Sequence, residues 1–352
     1  INLPSLTCPT RLAHISTVTS GARGGLETPI PYPYRPRGLG DATCSRGTEH
    51  RLGYGPVHRT RSKSRLTKGR ILVIGGTGML GKPVVHRLIE NGHTVRCLTR
   101  SAAKARAVLG DKIEVAEGTV ESKTDLGAAM SKCDAVHLNL TPAMEYGAMR
   151  DIIDLADDQL KRISYVSATT LTEELRWFHR VDIKMRTEEL LRGSGIPHVI
   201  FRPTWVMETL HNFIRGKWGI VLLGKNPPPL HFFAAADFGR IVAASYADDR
   251  GLGKALYVYG PEAITLSDAT ERYIKACHPS VRVMRFKPWM TRLMTKLLRN
   301  QDFSDVAELV AYLDTAGEIG DPAECNELYG APEITLDAWC RMPMEISQGM
   351  PH

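Results

Sequence analysis

The sequence lacks the features that define several protein classes. Its seven cysteines form no CxxC pair and are odd in number, which argues against a disulfide framework and against a cysteine-based zinc site. Apolar runs such as 220–223 and 234–236 stop far short of the roughly 18 residues that cross a bilayer. With 43% hydrophobic and 24% charged residues, the composition is that of a globular chain. We therefore predict no membrane span and no metal site, and we exclude collagen-like, coiled-coil and wholly disordered classes.

Outside the first 70 residues, the chain has no excess of positive charge. The 352-residue chain has a net charge of +7, but residues 1–70 hold 12 of its 45 Lys and Arg and only three of its 38 Asp and Glu. The rest of the chain is therefore slightly acidic. A nucleic-acid-binding fold would carry the basic excess on its body. The sequence predicts no nucleic-acid partner.

Residues 1–69 also lack Phe and Trp and contain seven of the 21 prolines, so they have little apolar surface to offset the entropy of ordering. We predict a disordered basic extension there. Three interpretations stay open: an organellar transit segment, a truncated precursor, or upstream codons translated from a wrong start. The predicted location is cytoplasmic, or organellar if the extension is a genuine transit segment.

From residue 70 onward, short apolar runs alternate with segments of helical periodicity. This alternation is typical of an α/β fold with a doubly wound parallel sheet. The predicted strands are 71–74, 94–98, 113–116, 135–138, 163–167 and 198–201, and the helices between them include 82–90 and 184–192.

The alternation weakens after about residue 205, where we predict a small C-terminal lobe on the substrate side. Its predicted strands are 220–223, 255–259 and 281–286, and its predicted helices are 237–247, 267–276, 289–298 and 304–316. The predicted domains are therefore the extension 1–69 and a nucleotide-binding domain, 70–352, that includes this lobe.

A glycine-rich loop with the spacing G-x-x-G-x-x-G lies between the first predicted strand and the first predicted helix. Glycines there allow a positive φ or a close backbone approach, so that main-chain N–H groups and the helix N-terminus face a pyrophosphate. An ordinary tight turn can carry a similar triplet, but the strand–loop–helix–strand context favours dinucleotide binding. The predicted cofactor-binding residues of the loop are Gly75, Gly76, Thr77, Gly78, Met79, Leu80 and Gly81.

The residue that follows the second predicted strand indicates which dinucleotide binds. Sites that prefer NAD carry Asp or Glu about 20 residues after the last glycine, where the carboxylate accepts the hydrogen bond of the ribose 2′-hydroxyl. Here the position is Arg100, 19 residues after Gly81. A guanidinium can pair with a 2′-phosphate through two hydrogen bonds. The sequence therefore predicts NADP(H) as the cofactor.

Several segments together resemble the NmrA-like atypical short-chain dehydrogenase/reductases. They are ILVIGGTGMLGKPVV at 71–85, CLTR at 97–100, YVSATT at 165–170 and GIPHVIFRPTWVME at 195–208, together with Lys184. The resemblance covers roughly residues 70–345 and implies an NADP(H)-binding Rossmann domain with a small C-terminal lobe. It also implies cofactor contacts, on the adenosine and pyrophosphate side by Asn139, Leu140 and Thr141, near the nicotinamide by Ser167, and beside its carboxamide by Pro203 and Thr204.

The sequence has no Tyr-x-x-x-Lys motif, the pair with which short-chain reductases transfer a proton at the substrate oxygen. Lys184 is present, but Arg180 stands four residues before it and stays charged at neutral pH. The resemblance to isoflavone-reductase-like members implies that Lys184 acts without the tyrosine, as an acid or as a ribose clamp. His179 is a second candidate proton carrier, because histidine titrates near neutral pH.

Two further features differ from the family or lie near its site. The family has a long helix after the fourth strand, whereas residues 141–160 are predicted to form a compact connection rich in aspartate. Four large apolar residues are predicted either to wall a substrate pocket or to pack in the core. They are Trp177, Phe178, Trp205 and Met207.

Two hypotheses on function remain. The favoured one is an NADPH-dependent oxidoreductase that acts on a small apolar carbonyl, enone or quinone, with Lys184 as its catalytic residue. The alternative is a non-catalytic regulator or assembly protein whose affinity for a protein partner depends on bound NADP(H). The partner is accordingly a small-molecule substrate or a redox-dependent protein.

Overall fold

Thirteen strands occur in the part of the chain that the computed structural model describes, residues 66, 68–223, 227–287, 289–290, 312 and 317–342. They are β1 (Arg70–Ile74), β2 (Thr94–Thr99), β3 (Glu114–Glu117), β4 (Ala135–Leu138), β5 (Arg162–Val166), β6 (His198–Pro203), β7 (Trp205–Val206), β8 (Ile214–Arg215), β9 (Trp218–Leu222), β10 (Leu230–Phe233), β11 (Lys254–Val258), β12 (Glu262–Ile264) and β13 (Arg282–Phe286).

Seven of these strands form the main sheet, in the order β11-β6-β5-β4-β1-β2-β3, and all neighbouring pairs in it are parallel. The strand order reverses between β1 and β4. The connections after these two strands therefore leave the sheet in opposite directions, and a crevice forms at the carboxyl edge between them. Ligands of open α/β sheets bind in such crevices.

Helices cover both faces of the main sheet. One face buries Val84 and Leu88 together with Phe238, and the other buries Met149 and Leu191. The predicted doubly wound α/β fold is confirmed. The helices are α1 (Gly81–Glu90), α2 (Ala102–Leu109), α3 (Lys123–Met130), α4 (Pro142–Leu155), α5 (His179–Gly193), α6 (Ala235–Tyr246), α7 (Leu266–Cys277), α8 (Ala323–Tyr329) and α9 (Leu336–Arg341).

The central strands are buried from both sides, which explains their continuous apolar runs. Every residue from Ile71 to Ile74 in β1 is at most 1% exposed. Parallel strands covered by helices on both faces have this pattern, whereas a strand with one solvent-exposed face alternates apolar and polar residues. The six strands predicted from such runs match β1 to β6 within two residues at each end.

Residues 141–160 are not the compact connection predicted from the sequence, because most of them form α4. Pro142 occupies the start of this helix, where its fixed φ and missing N–H are tolerated. Ala148, Met149 and Ile152 recur at helical spacing and are buried against the sheet. The prediction was wrong because the aspartates were read as a loop signal, whereas Asp154 forms a surface ion pair with Lys123.

Residues 255–259 were predicted in the C-terminal lobe, but the corresponding strand β11 belongs to the main sheet. It runs parallel to β6, with Leu256 opposite Phe201, and both side chains are buried. The chain therefore leaves the main sheet after β6 and returns to it after α6. The sequence pattern did not predict this return, because local periodicity identifies a strand but not the strand with which it pairs. The domain boundary near residue 205 stays a prediction.

Two small sheets, β12-β10-β7 and β13-β9-β8, form the remainder together with α7 and α9. Their shared core includes Met207, Phe232, Tyr273 and Trp339. Of the predicted helices 289–298 and 304–316, all but residues 289, 290 and 312 lie outside the described residues, as does nearly all of the segment 1–69. Within the described ranges, no helix combines the length and apolarity that a membrane crossing requires.

A buried carboxylate joins the start of α6 to α9. Both oxygens of Glu208 accept the N–H of Ala235, at 3.0 and 3.1 Å, and its Oε1 also accepts the indole N–H of Trp339 at 3.2 Å. Burial raises the pKa of Glu208 from 4.5 to about 7, and the neighbouring Asp237 acts in the same direction. The folded protein thus binds the proton of Glu208 more tightly than the unfolded chain does.

This difference predicts a pH-dependent stability. The contribution of Glu208 is fully present below about pH 4.5 and is lost as the pH rises through 7, because the native state must then ionise a buried group. We expect the free energy of unfolding of the wild type to fall relative to E208Q by about 3 kcal/mol between pH 4.5 and 8. Denaturant unfolding at each pH measures this difference.

Glu327, an exposed residue of α8, provides the matched control. E327Q should leave the free energy of unfolding within about 0.5 kcal/mol of the wild type, because substitutions of exposed side chains change stability little. Parallel pH profiles of E208Q and the wild type would show that Glu208 ionises normally in the folded protein and would contradict the prediction.

Candidate cofactor site

Two glycines of the predicted phosphate loop occupy positions that only glycine fits. Gly75 has a φ of +83°, and a Cβ there would overlap the carbonyl oxygen of Asn139. A Cβ on Gly81, the first residue of α1, would overlap the carbonyl oxygen of Gly75. The two close approaches hold the end of β1, the start of α1 and the end of β4 together.

The middle of the loop, at Gly78, has open space around it, unlike the two ends of the loop. The N–H of Gly78 donates to the carbonyl of Gly75 at 3.0 Å, and a Cβ on Gly78 would meet only that oxygen within 4 Å among the described residues. Leu80, which precedes α1, makes no side-chain cap. The Lys82 N–H donates to the Gly78 carbonyl at 3.0 Å and Pro83 has no N–H, so among the first three residues of the helix the N–H of Gly81 is the one left to another acceptor. An uncapped helix N-terminus behind an open glycine loop is the geometry that binds phosphate.

The second predicted segment, Asn139 to Thr141, lies directly beside this loop. Asn139 follows β4, and its N–H donates to the carbonyl of Ile74 at 3.1 Å. Thr141 precedes α4 and also makes no side-chain cap. The loops after β1 and β4 thus meet where the strand order reverses, as the resemblance implies.

Arg100 is the first residue after β2, the strand next to β1, and its side chain is exposed. Gly78, Arg100 and Ser167 follow the carboxyl ends of β1, β2 and β5, so they lie at one edge of the parallel sheet. The cap of α2 is made by the neighbouring Ser101, which accepts the N–H of Lys104.

The ends of β5 and β6 carry the residues predicted near the nicotinamide. Ser167 follows β5; its N–H donates to the carbonyl of Phe201 at 2.7 Å, and its buried hydroxyl has no hydrogen-bond partner among the described residues. Buried hydroxyls are usually paired, so this one is available to a ligand. Pro203 ends β6, and the Thr204 hydroxyl donates to the carbonyl of His231.

Lys184 lies in α5 and is held by a buried ion pair. Its Nζ donates to Glu145 Oε1 at 2.9 Å and Oε2 at 3.2 Å, and to the carbonyl of Val166 at 3.1 Å. Glu145 is fully buried and also accepts the hydroxyl of Tyr165 at 2.8 Å. Three acceptors occupy the three N–H groups of the ammonium. Burial raises the pKa of Tyr165, so this phenol is a weaker acid than an ordinary tyrosine.

Glu145 was not predicted as a site residue, because residues 141–160 were predicted to form a connection and not a helix. The signal that could have found it is an acidic residue three positions after Pro142, in the first turn of a helix, where a negative charge is favoured. His179 and Arg180 begin α5 and are both exposed.

The four large apolar residues predicted as a pocket wall do not form one surface. Phe178 is buried and stacks on Tyr312 with ring centroids 4.6 Å apart, whereas its neighbour Trp177 is 54% exposed. Met207 is buried in the core of the small sheets, and Trp205 packs against that same core. The core interpretation therefore holds for Phe178 and Met207.

The chain matches known proteins over this region. Residues 75–226 match the model of a family described as NAD(P)H-binding. The chain thus contains an NAD(P)H-binding domain, as the glycine loop predicts. A reductase of (4-alkanoyl-5-oxo-2,5-dihydrofuran-3-yl)methyl phosphate from Streptomyces griseus is 27% identical over 202 residues, which span 57% of this chain and 71% of that protein.

A second relative is the photosystem II assembly factor Ycf39 of a Synechocystis species, 23% identical over 248 residues that span 65% of this chain and 74% of the relative. Among solved structures, an NADPH-dependent quinone oxidoreductase of Escherichia coli in complex with NADPH aligns with a TM-score of 0.62. It is 20% identical, and the alignment covers 77% of this chain and 98% of that chain. The predicted Rossmann fold is thus confirmed.

The buried pair of Glu145 and Lys184 leads to a stability prediction. E145A should lower the free energy of unfolding by about 3–5 kcal/mol, because it leaves a buried ammonium without its counter-charge. The double variant E145Q/K184M should recover most of the loss, since it removes both charges together. Chemical denaturation measures both effects.

The exposed pair of Lys123 and Asp154, which also involves α4, serves as the control. D154N should cost less than about 1 kcal/mol, because solvent screens an exposed pair. If E145A cost as little as D154N, the buried pair would not hold α4 and α5 together, and the assignment would be wrong.

Proposed function

We propose that this protein is an NADP(H)-dependent oxidoreductase that reduces a small apolar carbonyl, enone or quinone. The observation that supports it is the alignment of the glycine loop, Asn139 and the unpartnered Ser167 hydroxyl along one sheet edge. A bound dinucleotide needs N–H donors for its phosphates at one end of such an edge and an accessible polar group at the other end. When bound, NADPH supplies the hydride.

In this proposal the chain's own residues bind and orient the cofactor. The main chain of Gly75 to Gly81 and the N-terminus of α1 hold the pyrophosphate, with Asn139, Leu140 and Thr141 on the adenosine side. Arg100 pairs with the 2′-phosphate, which is the basis for NADPH over NADH. Ser167, Pro203 and Thr204 face the nicotinamide end.

Lys184 enters the proposal as a positioning residue. Its contacts favour neither of the two roles implied by the resemblance, acid or ribose clamp, because Glu145 and the Val166 carbonyl take up its three N–H groups. Its carbonyl partner Val166 ends β5 and immediately precedes Ser167. Lys184 therefore fixes the backbone that presents the Ser167 hydroxyl.

A second candidate function is that of a regulator or assembly protein that binds NADP(H) without turnover. It is favoured by the missing Tyr-x-x-x-Lys motif and by the use of Lys184 in a buried pair. One relative of the chain is an assembly factor. The partner would then be a protein whose affinity depends on the bound cofactor. The proposed cellular location is cytoplasmic, or organellar if residues 1–69 are a transit segment.

Arg100 provides the test of cofactor choice. In a fluorescence titration of the full chain, we expect NADPH to bind more tightly than NADH. R100A should weaken NADPH by roughly 10- to 100-fold and leave NADH unchanged, since it removes charge-assisted hydrogen bonds to the 2′-phosphate. R106A changes a second exposed arginine, in the adjacent α2, and should leave both affinities unchanged. Equal loss for the two nucleotides would contradict the assignment.

Turnover separates the two candidate functions. The full chain with NADPH is supplied with simple quinones and enones, and the absorbance of NADPH is followed. The oxidoreductase predicts oxidation that depends on the added acceptor. Tight NADPH binding with no oxidation by any acceptor would favour the regulator.

A further inference from the structure

A second paired side chain lies at the carboxyl edge of the sheet, outside the residues predicted from the sequence. His231, in β10, has its Nδ1 2.5 Å from Glu318 Oε2, and its N–H donates to Glu318 Oε1 at 2.7 Å. Both carboxylate oxygens of Glu318 are therefore held by one residue. The Glu318 side chain is only 7% exposed, so solvent competes little for the pair.

The surroundings place His231 next to the proposed nicotinamide end of the site. The Thr204 hydroxyl donates to the His231 carbonyl, and Thr204 follows directly on β6. The ring of Tyr259, just after β11, stacks on the imidazole with centroids 5.2 Å apart. His231 thus lies beside the carboxyl ends of two adjacent strands of the main sheet, β6 and β11.

Hydrogen bonds from two loops, after β11 and after β5, fix this arrangement. The Tyr259 hydroxyl donates to the Ile319 carbonyl at 2.8 Å, and the Thr169 hydroxyl donates to the same oxygen at 3.2 Å. Thr169 lies two residues beyond Ser167, on the loop after β5. The segment that carries Glu318 is therefore fastened to the edge of the candidate site.

The pairing leaves one imidazole nitrogen for chemistry. A carboxylate on Nδ1 favours the tautomer that carries its proton there. His231 is 34% exposed, and its Nε2 has no partner in the part of the chain that the structure describes. The titratable groups that face this ring there are Glu318 and Tyr259.

The other candidate proton donors among the described residues of the site are already engaged. The three N–H groups of Lys184 are taken by Glu145 and Val166. Tyr165 is buried and donates to Glu145. A histidine oriented by a carboxylate transfers protons near neutral pH, which is the task left open by the missing tyrosine.

We propose that His231, oriented by Glu318, gives the proton to the substrate oxygen, an inference that rests on the proposed oxidoreductase function. Reduction of a carbonyl requires a hydride on carbon and a proton on oxygen. The hydride comes from NADPH, which is oxidised to NADP⁺, and the π electron pair of the C=O bond moves to the oxygen. That oxygen takes the proton from Nε2, and water returns a proton to the neutral imidazole.

The first test reads His231 without turnover. In the full chain labelled with ¹⁵N-histidine, the His231 resonances should show a protonated Nδ1, and E318Q should shift them toward the ordinary tautomer mixture. Saturating NADP⁺ should shift the Nε2 resonance of His231 and leave that of His278, at the end of α7, in place. NADP⁺ that binds without moving His231 would overturn the proposal.

The second test uses 2-methyl-1,4-naphthoquinone as the acceptor. H231A should lower kcat by 10²- to 10⁴-fold with an unchanged affinity for NADPH, and H278A should retain wild-type turnover. E318Q should shift the pH profile of kcat, which a purely structural role would not do. A folded H231A with full turnover would overturn the proposal.

The two tests also separate this proposal from the proposed function. If neither NADP⁺ nor NADPH binds the wild type, the proposed function fails and takes the role of His231 with it. If the nucleotide binds and the quinone is reduced equally by H231A and the wild type, the role of His231 alone fails. If the wild type does not reduce the quinone at all, the NMR experiment decides on the role of His231. A shift of its Nε2 resonance on binding of NADP⁺ supports the proposal, and an unchanged resonance overturns it.

Discussion

The contact of the Gly75 main chain with the Asn139 carbonyl is the constraint on which the rest of this structure depends. It allows β1 and β4 to end side by side and lets α1 begin immediately behind Gly75, where Gly81 packs against the same turn. Any side chain at either glycine would push these elements apart. The crevice at the reversal of strand order, and with it the cofactor edge, exists because two positions have no side chain.

The polar groups farther along the edge follow a second physical rule, that a buried charge must be paired. Lys184 could not enter the space between α4 and α5 without Glu145, and Glu145 binds the Tyr165 hydroxyl as well. In the proposed function, this pairing gives the lysine a positional role. The proposed role of His231 in proton transfer follows from the same rule, since Glu318 is buried and needs its partner.

The sequence predicted the first six strands because their residues are buried on both faces and are therefore continuously apolar, as in Ile71 to Ile74. The glycine spacing was readable for a similar reason, because the close backbone approaches at Gly75 and Gly81 require glycine. Contacts between residues far apart in the sequence could not be predicted in this way. The place of β11 in the main sheet and the contact of His231 with Glu318, 87 residues apart, depend on how the chain returns to the sheet edge.

Hydrogen–deuterium exchange of the full chain with and without saturating NADPH tests the central claim most directly, namely that the dinucleotide lies along the edge from the glycine loop to Thr204. The account predicts slower exchange in residues 75–81, at Asn139 and in the segment around Ser167, because ligand contacts suppress local opening. Protection confined to other regions, or none despite saturation, would contradict it.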